Sequence, residues 1–103
     1  MTKSLDSDAV NTGLSHELIS NLRKIFSEIP SIEKVILYGS RAKGSYRAGS
    51  DIDLTFVGKI THQQLIAVDT RIDDLLSPYL YDLSVLSDIQ NSDLLEHIQR
   101  VGV

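Results

Sequence analysis

Apolar positions change period several times along the chain, and each change marks a new element. Leu14, Leu18, Ile19, Leu22, Ile25, Phe26 and Ile29 recur at three- and four-residue steps, the spacing of one helical face. His16, Glu17, Arg23, Lys24 and Glu28 fill the opposite face, so this helix covers a core on one side only. Ser15 suits its N-cap, and Pro30 ends it at or before Ile29. Val35-Ile36-Leu37-Tyr38 is a short continuous apolar run stopped by Gly39-Ser40, the pattern of a buried strand. From Asp51 to Val57 the period becomes two, with Ile52, Leu54 and Phe56 alternating with Asp51, Asp53 and Thr55.

Thr61 can cap a second long helix to about Leu76, with Leu65, Ile66, Ile72, Leu75 and Leu76 inward and Ser77-Pro78 as the stop. Leu80 to Leu86 reads as a third strand, with Tyr81, Leu83 and Val85 on one face and Asp82 and Ser84 on the other. Asn91 or Ser92 caps a last helix, whose Leu94, Leu95, Ile98 and Val101 face inward and which ends at Gly102. Residues 1–13 are polar and aperiodic, a frayed leader before a single domain over 14–103. The order αβ(short α)βαβα predicts an α/β domain: a small sheet of three strands, or slightly more, with helices packed on it.

Composition narrows the function classes. The 103 residues are 42% apolar and 23% charged, which suits one globular domain rather than two or a disordered chain. The absence of cysteine removes disulfides, thiolate metal sites and thiol nucleophiles. No secretory signal or membrane-length apolar run is visible, so a soluble cytoplasmic domain is expected. A net charge of −4 argues against direct nucleic-acid binding through a basic surface. Yet Arg41, Lys43 and Arg47 gather immediately before Asp51 and Asp53. Cations beside carboxylates suit a small, highly anionic ligand together with a metal.

The stretch from Tyr38 to Leu54 carries the chemistry. A strand that ends in Gly39-Ser40 and enters a helical turn presents backbone N–H groups to an anion, worth about 0.3–1 kcal/mol per charge. Ser40 adds a hydroxyl, and Arg41 and Lys43 add charge; ordinary capping is the plain alternative for such a corner. Asp51 and Asp53, two apart on one strand, share a face at about 6–7 Å. At that distance like charges repel by roughly 2 kcal/mol at an effective dielectric near 20, and a divalent cation would reverse the sign. Two carboxylates facing water on an exposed sheet are the competing explanation. If the second and third strands are neighbours, Asp82 joins the pair. Three carboxylates without His or Cys suit Mg²⁺ or Mn²⁺, and such a cluster can serve phosphoryl or nucleotidyl displacement.

Gly39-Ser40, ten intervening residues and Asp51-Ile52-Asp53, with Asp82 on a later strand, resemble the signature of the minimal nucleotidyltransferases of the DNA polymerase beta superfamily. The resemblance runs from Ser15 to Gly102. It implies a nucleotidyltransferase fold and a nucleoside triphosphate, ATP or another, held by Gly39, Ser40, Arg41, Lys43 and Ser50. It also implies Mg²⁺ or Mn²⁺ on Asp51, Asp53 and Asp82, with these aspartates as the catalytic set. Relatives of this size act as antitoxins beside a helical HEPN-domain toxin, so the resemblance implies AMP transfer to such a partner. Lys43 stands where many relatives carry Arg, keeping charge without the guanidinium fork.

Other residues read as structural. His16, His62 and His97 have no ligand spacing and fit helix surfaces. Tyr46 and Arg47 sit in a loop, Tyr79 and Tyr81 flank a strand as packing residues, and Asp69, Asp73 and Asp74 lie on an outer helix face near Arg71. Ser50 can also be read as shaping the start of its strand. With one helix after the third strand, the acceptor site is expected to be shared with a second protein or a second copy. Two other readings stand beside the antitoxin one: a small-molecule nucleotidyltransferase of the aminoglycoside type, and a module that neutralises its partner by binding alone. A polymerase role is disfavoured by the acidic surface.

Overall fold

The structure, a computed structural model, describes residues 13–103. The leader expected over residues 1–13 therefore lies, but for Gly13, outside the described residues. Helix α1 spans His16–Ser27, strand β1 Lys34–Tyr38, the one-turn helix α2 Ser40–Lys43 and strand β2 Ile52–Val57. Helix α3 spans His62–Asp73, strand β3 Tyr81–Val85 and helix α4 Ser92–Val101, with a 3₁₀ turn at Leu86–Asp88 between the last two. This is the predicted order. The starts of α1, α3 and α4 match as well, because each has a side-chain oxygen to receive its first amides. Ser15 accepts from the Leu18 N–H, Asn91 accepts from Asp93 and Leu94, and Thr61 and Gln64 form a reciprocal capping box.

The sheet is mixed, in the order β1-β2-β3. β1 runs antiparallel to β2, and β3 runs parallel to it. The register sets Tyr38 opposite Asp53 and Asp53 opposite Asp82. One sheet face carries Val35, Leu37, Ile52, Leu54 and Phe56, all fully buried in one cluster with Leu18, Ile19, Leu22, Ile25 and Phe26 of α1 and with Val68 and Ile72 of α3. Phe26 meets Phe56 edge to face, centroids 5.4 Å apart. An Arg71–Glu28 ion pair links α3 to the end of α1, but both side chains are about half exposed, so packing carries this contact.

The opposite face carries Ile36, Tyr38, Asp53, Thr55 and Asp82. Here α4 lies against β1: the His97 ring meets Tyr38, and Gly102 closes on Ile36. Val103 then exchanges both backbone hydrogen bonds with Leu37, at 2.8 and 2.9 Å, which pairs the outer edge of β1.

Three expectations need correction. α3 ends at Asp73 rather than Leu76: the Leu75 and Leu76 amides bond three residues back, and Leu76 takes a left-handed φ of 53° ahead of Ser77-Pro78. The inward face also differs: Ile66 and Leu76 are 52% and 89% exposed, and Val68 with Ile72 makes the buried face. Asp51 precedes β2 instead of lying within it.

Candidate active site

The corner between β1 and α2 is built on Gly39. Its φ of 76° and ψ of −158° lie where side-chain-bearing residues are strained, and a Cβ there would stand 2.2 Å from Asp53 Oδ2. Glycine is thus required for close approach of the corner to a carboxylate. Its N–H, expected to be offered to an anion, instead donates to His97 Nε2 at 3.1 Å. The Gly39 carbonyl accepts from the Lys43 N–H and closes the single turn of α2, leaving Ser40 half-buried at its start.

Tyr38, Asp53 and Asp82 form a row across the three strands, one residue from each. Asp53 is half-buried; Asp82 and Asp51 are exposed. Burial raises the Asp53 pKa above the usual carboxylate value; the charges of Asp82 and Asp51 push it further up, and His97 opposes them. Tyr38 is also raised, by burial first, with the Ser84 side chain lowering it and Asp82 and Asp53 raising it. The carboxylates therefore sense one another through Asp53. They do not converge into a finished coordination shell: among the described residues no group of three or more His, Asp and Glu is placed to hold a metal ion. Their oxygen-only chemistry and the mutual repulsion centred on Asp53 nevertheless fit a hard divalent cation that takes further ligands from a substrate.

Arg41 has another use than the phosphate contact expected of it. Only 1% exposed, it is among the largest fully buried side chains. Its Nε donates to the Ser50 carbonyl at 3.2 Å and its Nη2 to the Ala48 carbonyl at 3.4 Å. The guanidinium also stands 5.1 Å from the Tyr46 ring centroid and 4.7 Å from that of Tyr79. Tyr46 and Tyr79, read as loop and packing residues, are the aromatic walls of this cation. Ser50 accepts from the Arg47 N–H at 2.8 Å and closes the turn that leads into Asp51. Lys43 and Arg47 are the exposed cations of the segment.

His97 was read as a helix-surface residue, yet it stands at the corner. Its contact with Gly39 spans 58 residues, so no local spacing could announce it. Tyr38, read as core, is buried as expected but also borders both Asp53 and Asp82. Along the open side of β3, Leu65, Ile66, Asp69, Tyr81, Asp82 and Leu83 line a cavity of about 330 Å³, which leaves Asp82 approachable from the sheet edge.

A family profile described as polymerase beta, nucleotidyltransferase matches residues 20–103, a span that includes the corner, the three aspartates and His97. The chain belongs to that family. This nucleotidyltransferase is 28% identical, over 98 residues, to a Methanocaldococcus jannaschii protein provisionally named a protein adenylyltransferase; the match covers 84% of this chain and 94% of that protein. A chain in the crystal structure of a toxin–antitoxin with AMP-PNP has the same fold, with a TM-score of 0.65 and 21% identity over 87% of this chain and 71% of that one. A chain of a mutant MntA–HpeT toxin–antitoxin superposes at 0.59, with 19% identity over 91% and 70% of the two chains.

Proposed function

We propose that this nucleotidyltransferase transfers AMP from ATP to a hydroxyl of a partner protein, and that the partner is a HEPN-domain toxin neutralised by it as antitoxin. The observation that carries the chemistry is the row in which Asp53 stands beside Asp82, one residue from Asp51 across Ile52, against the glycine corner. The name of the archaeal relative and the toxin–antitoxin structures support the choice of acceptor. ATP as donor fits a cytoplasmic setting, and no helix among the described residues is long and apolar enough to cross a membrane.

In this reading Gly39 shapes the corner, Ser40 at the start of α2 receives the phosphates, and Lys43 adds an exposed positive charge. Asp51 and Asp53 would hold Mg²⁺ or Mn²⁺, with Asp82 completing the acidic set. When bound, such an ion neutralises phosphate charge and makes a hydroxyl easier to ionise. The acceptor oxygen forms a bond to the α-phosphorus while the bond from that phosphorus to the bridging oxygen breaks and pyrophosphate leaves. Asp82, exposed at the sheet edge, receives the acceptor's proton. Arg41 and Ser50 hold the loop that delivers Asp51.

The test incubates the protein with α-labelled ATP, Mg²⁺ and the product of the adjacent gene. Label should appear on that product and disappear with Asp51→Asn or Asp53→Asn. Undiminished neutralisation by these variants would establish inhibition by binding alone. Label found only on an added aminoglycoside would assign a small-molecule acceptor.

A further inference from the structure

We infer that His97, on α4, is a positioning residue that clamps the Gly39 peptide and so sets the distance between the phosphate-receiving corner and Asp53. The inference rests on the functional reading above, since it assigns a part in that same site.

Gly39 is the N-cap of α2, and no side chain caps this helix. The Gly39 N–H is instead taken by His97 Nε2 at 3.1 Å, from an element at the far end of the chain. In this contact Nε2 is the acceptor, so a lone pair of the ring holds the Gly39 peptide. The same ring meets Tyr38 edge to face, with centroids 6.2 Å apart and planes at 79°. His97 therefore touches two consecutive residues, the last of β1 and the cap of α2. Both of those border Asp53: Tyr38 is its strand partner, and the space over Gly39 is filled by Asp53 Oδ2.

A peptide so close to a half-buried carboxylate has little tolerance for movement. Among the described residues the Gly39 carbonyl is held by the Lys43 N–H, and His97 secures the amide side. Because Nε2 is already engaged by Gly39, the residue is placed to orient rather than to accept the hydroxyl proton of a substrate. Its neighbour Ile98 is buried, and Val103 pairs with Leu37, so the helix that presents the imidazole is itself fastened to β1.

Two substitutions separate the hydrogen bond from the packing. His97→Phe keeps an aromatic ring for Tyr38 and removes the acceptor. His97→Gln returns an acceptor at about the reach of Nε2. The measurements are Gly39 amide hydrogen exchange by NMR, the affinity for Mg²⁺–ATP by calorimetry, and kcat and KM of label transfer. His97→Phe should speed Gly39 exchange, lower kcat/KM by about tenfold and lower the thermal midpoint by about 5 °C, the loss of one well-placed hydrogen bond. His97→Gln should slow the exchange again and restore kcat/KM to within about threefold. Unchanged Gly39 exchange in His97→Phe overturns the inference, and so does equal impairment of the two variants. If the unaltered protein transfers no label to any acceptor, the functional reading fails instead. Gly39 exchange and Mg²⁺–ATP affinity then still decide whether His97 clamps the corner.

Discussion

Asp53 concentrates the electrostatic cost of the site, because it is the most buried of three neighbouring carboxylates. Its raised pKa means that the folded state binds this proton more tightly than the unfolded chain does. Stability contributed by the protonated form is present at low pH and is lost as pH rises from the ordinary aspartate pKa through the raised folded value. Asp53→Asn removes that loss. In metal-free buffer the variant should melt at a higher temperature than the parent at neutral pH, and the difference should shrink on acidification. A difference that stays constant with pH in thermal scans would show that charge is not its cause. Gly39→Ala acts on the same pair from the other side. The positive-φ backbone, in a region essentially reserved to glycine, costs about 1–3 kcal/mol, and the added methyl must displace the Asp53 carboxylate. Denaturation should show at least that loss, with label transfer abolished.

Among the elements, the loop between α2 and β2 depends most on one residue. Arg41 ties the Ala48 and Ser50 carbonyls between two tyrosine rings, and only a guanidinium can donate in two directions while stacking. Arg41→Lys should destabilise the protein by about 2 kcal/mol and expose residues 45–50 to protease, in the manner of a buried charge whose partners are lost. An Arg41 contact with phosphate alone would instead lower ATP affinity without changing proteolysis. α3 offers a simpler case. Thr61→Ala breaks its capping box and should cost about 1 kcal/mol in denaturant titration, with transfer activity unaltered.

At the level of the whole molecule, the sheet separates two duties. Its α1 and α3 side is a closed apolar core, whereas the side bearing Asp53 and Asp82 is only partly covered, by α4 over β1. Strand β1 is secured at its outer edge by Val103, whose N–H donates to the Leu37 carbonyl. Val103→Pro removes that donor and should lower stability by about 1–2 kcal/mol in a denaturant titration.

Periodicity and capping chemistry made the element order readable, since Ser15, Thr61 and Asn91 act on amides two or three residues away. The Gly-Ser and Asp-x-Asp spacing could be seen as a candidate segment because it is continuous in the chain. The end of α3 was misread because Leu75 and Leu76 continue an apolar rhythm that the following Ser-Pro cuts short. The loop contacts of Arg41 were not legible because a cation near carboxylates gives no sign of being enclosed by Tyr46 and Tyr79.

Local patterns and contiguous motifs were enough to specify an α/β chain and a candidate segment running from Gly39 to Asp53. The partnership of Asp53 with Asp82 needed the parallel pairing of β2 with β3, which alternation alone does not dictate. The union of Gly39 with His97 needed α4 to fold back over β1. Hydrogen bonds and burial act through distance in space, and 58 residues of chain leave no periodic trace of where that distance closes.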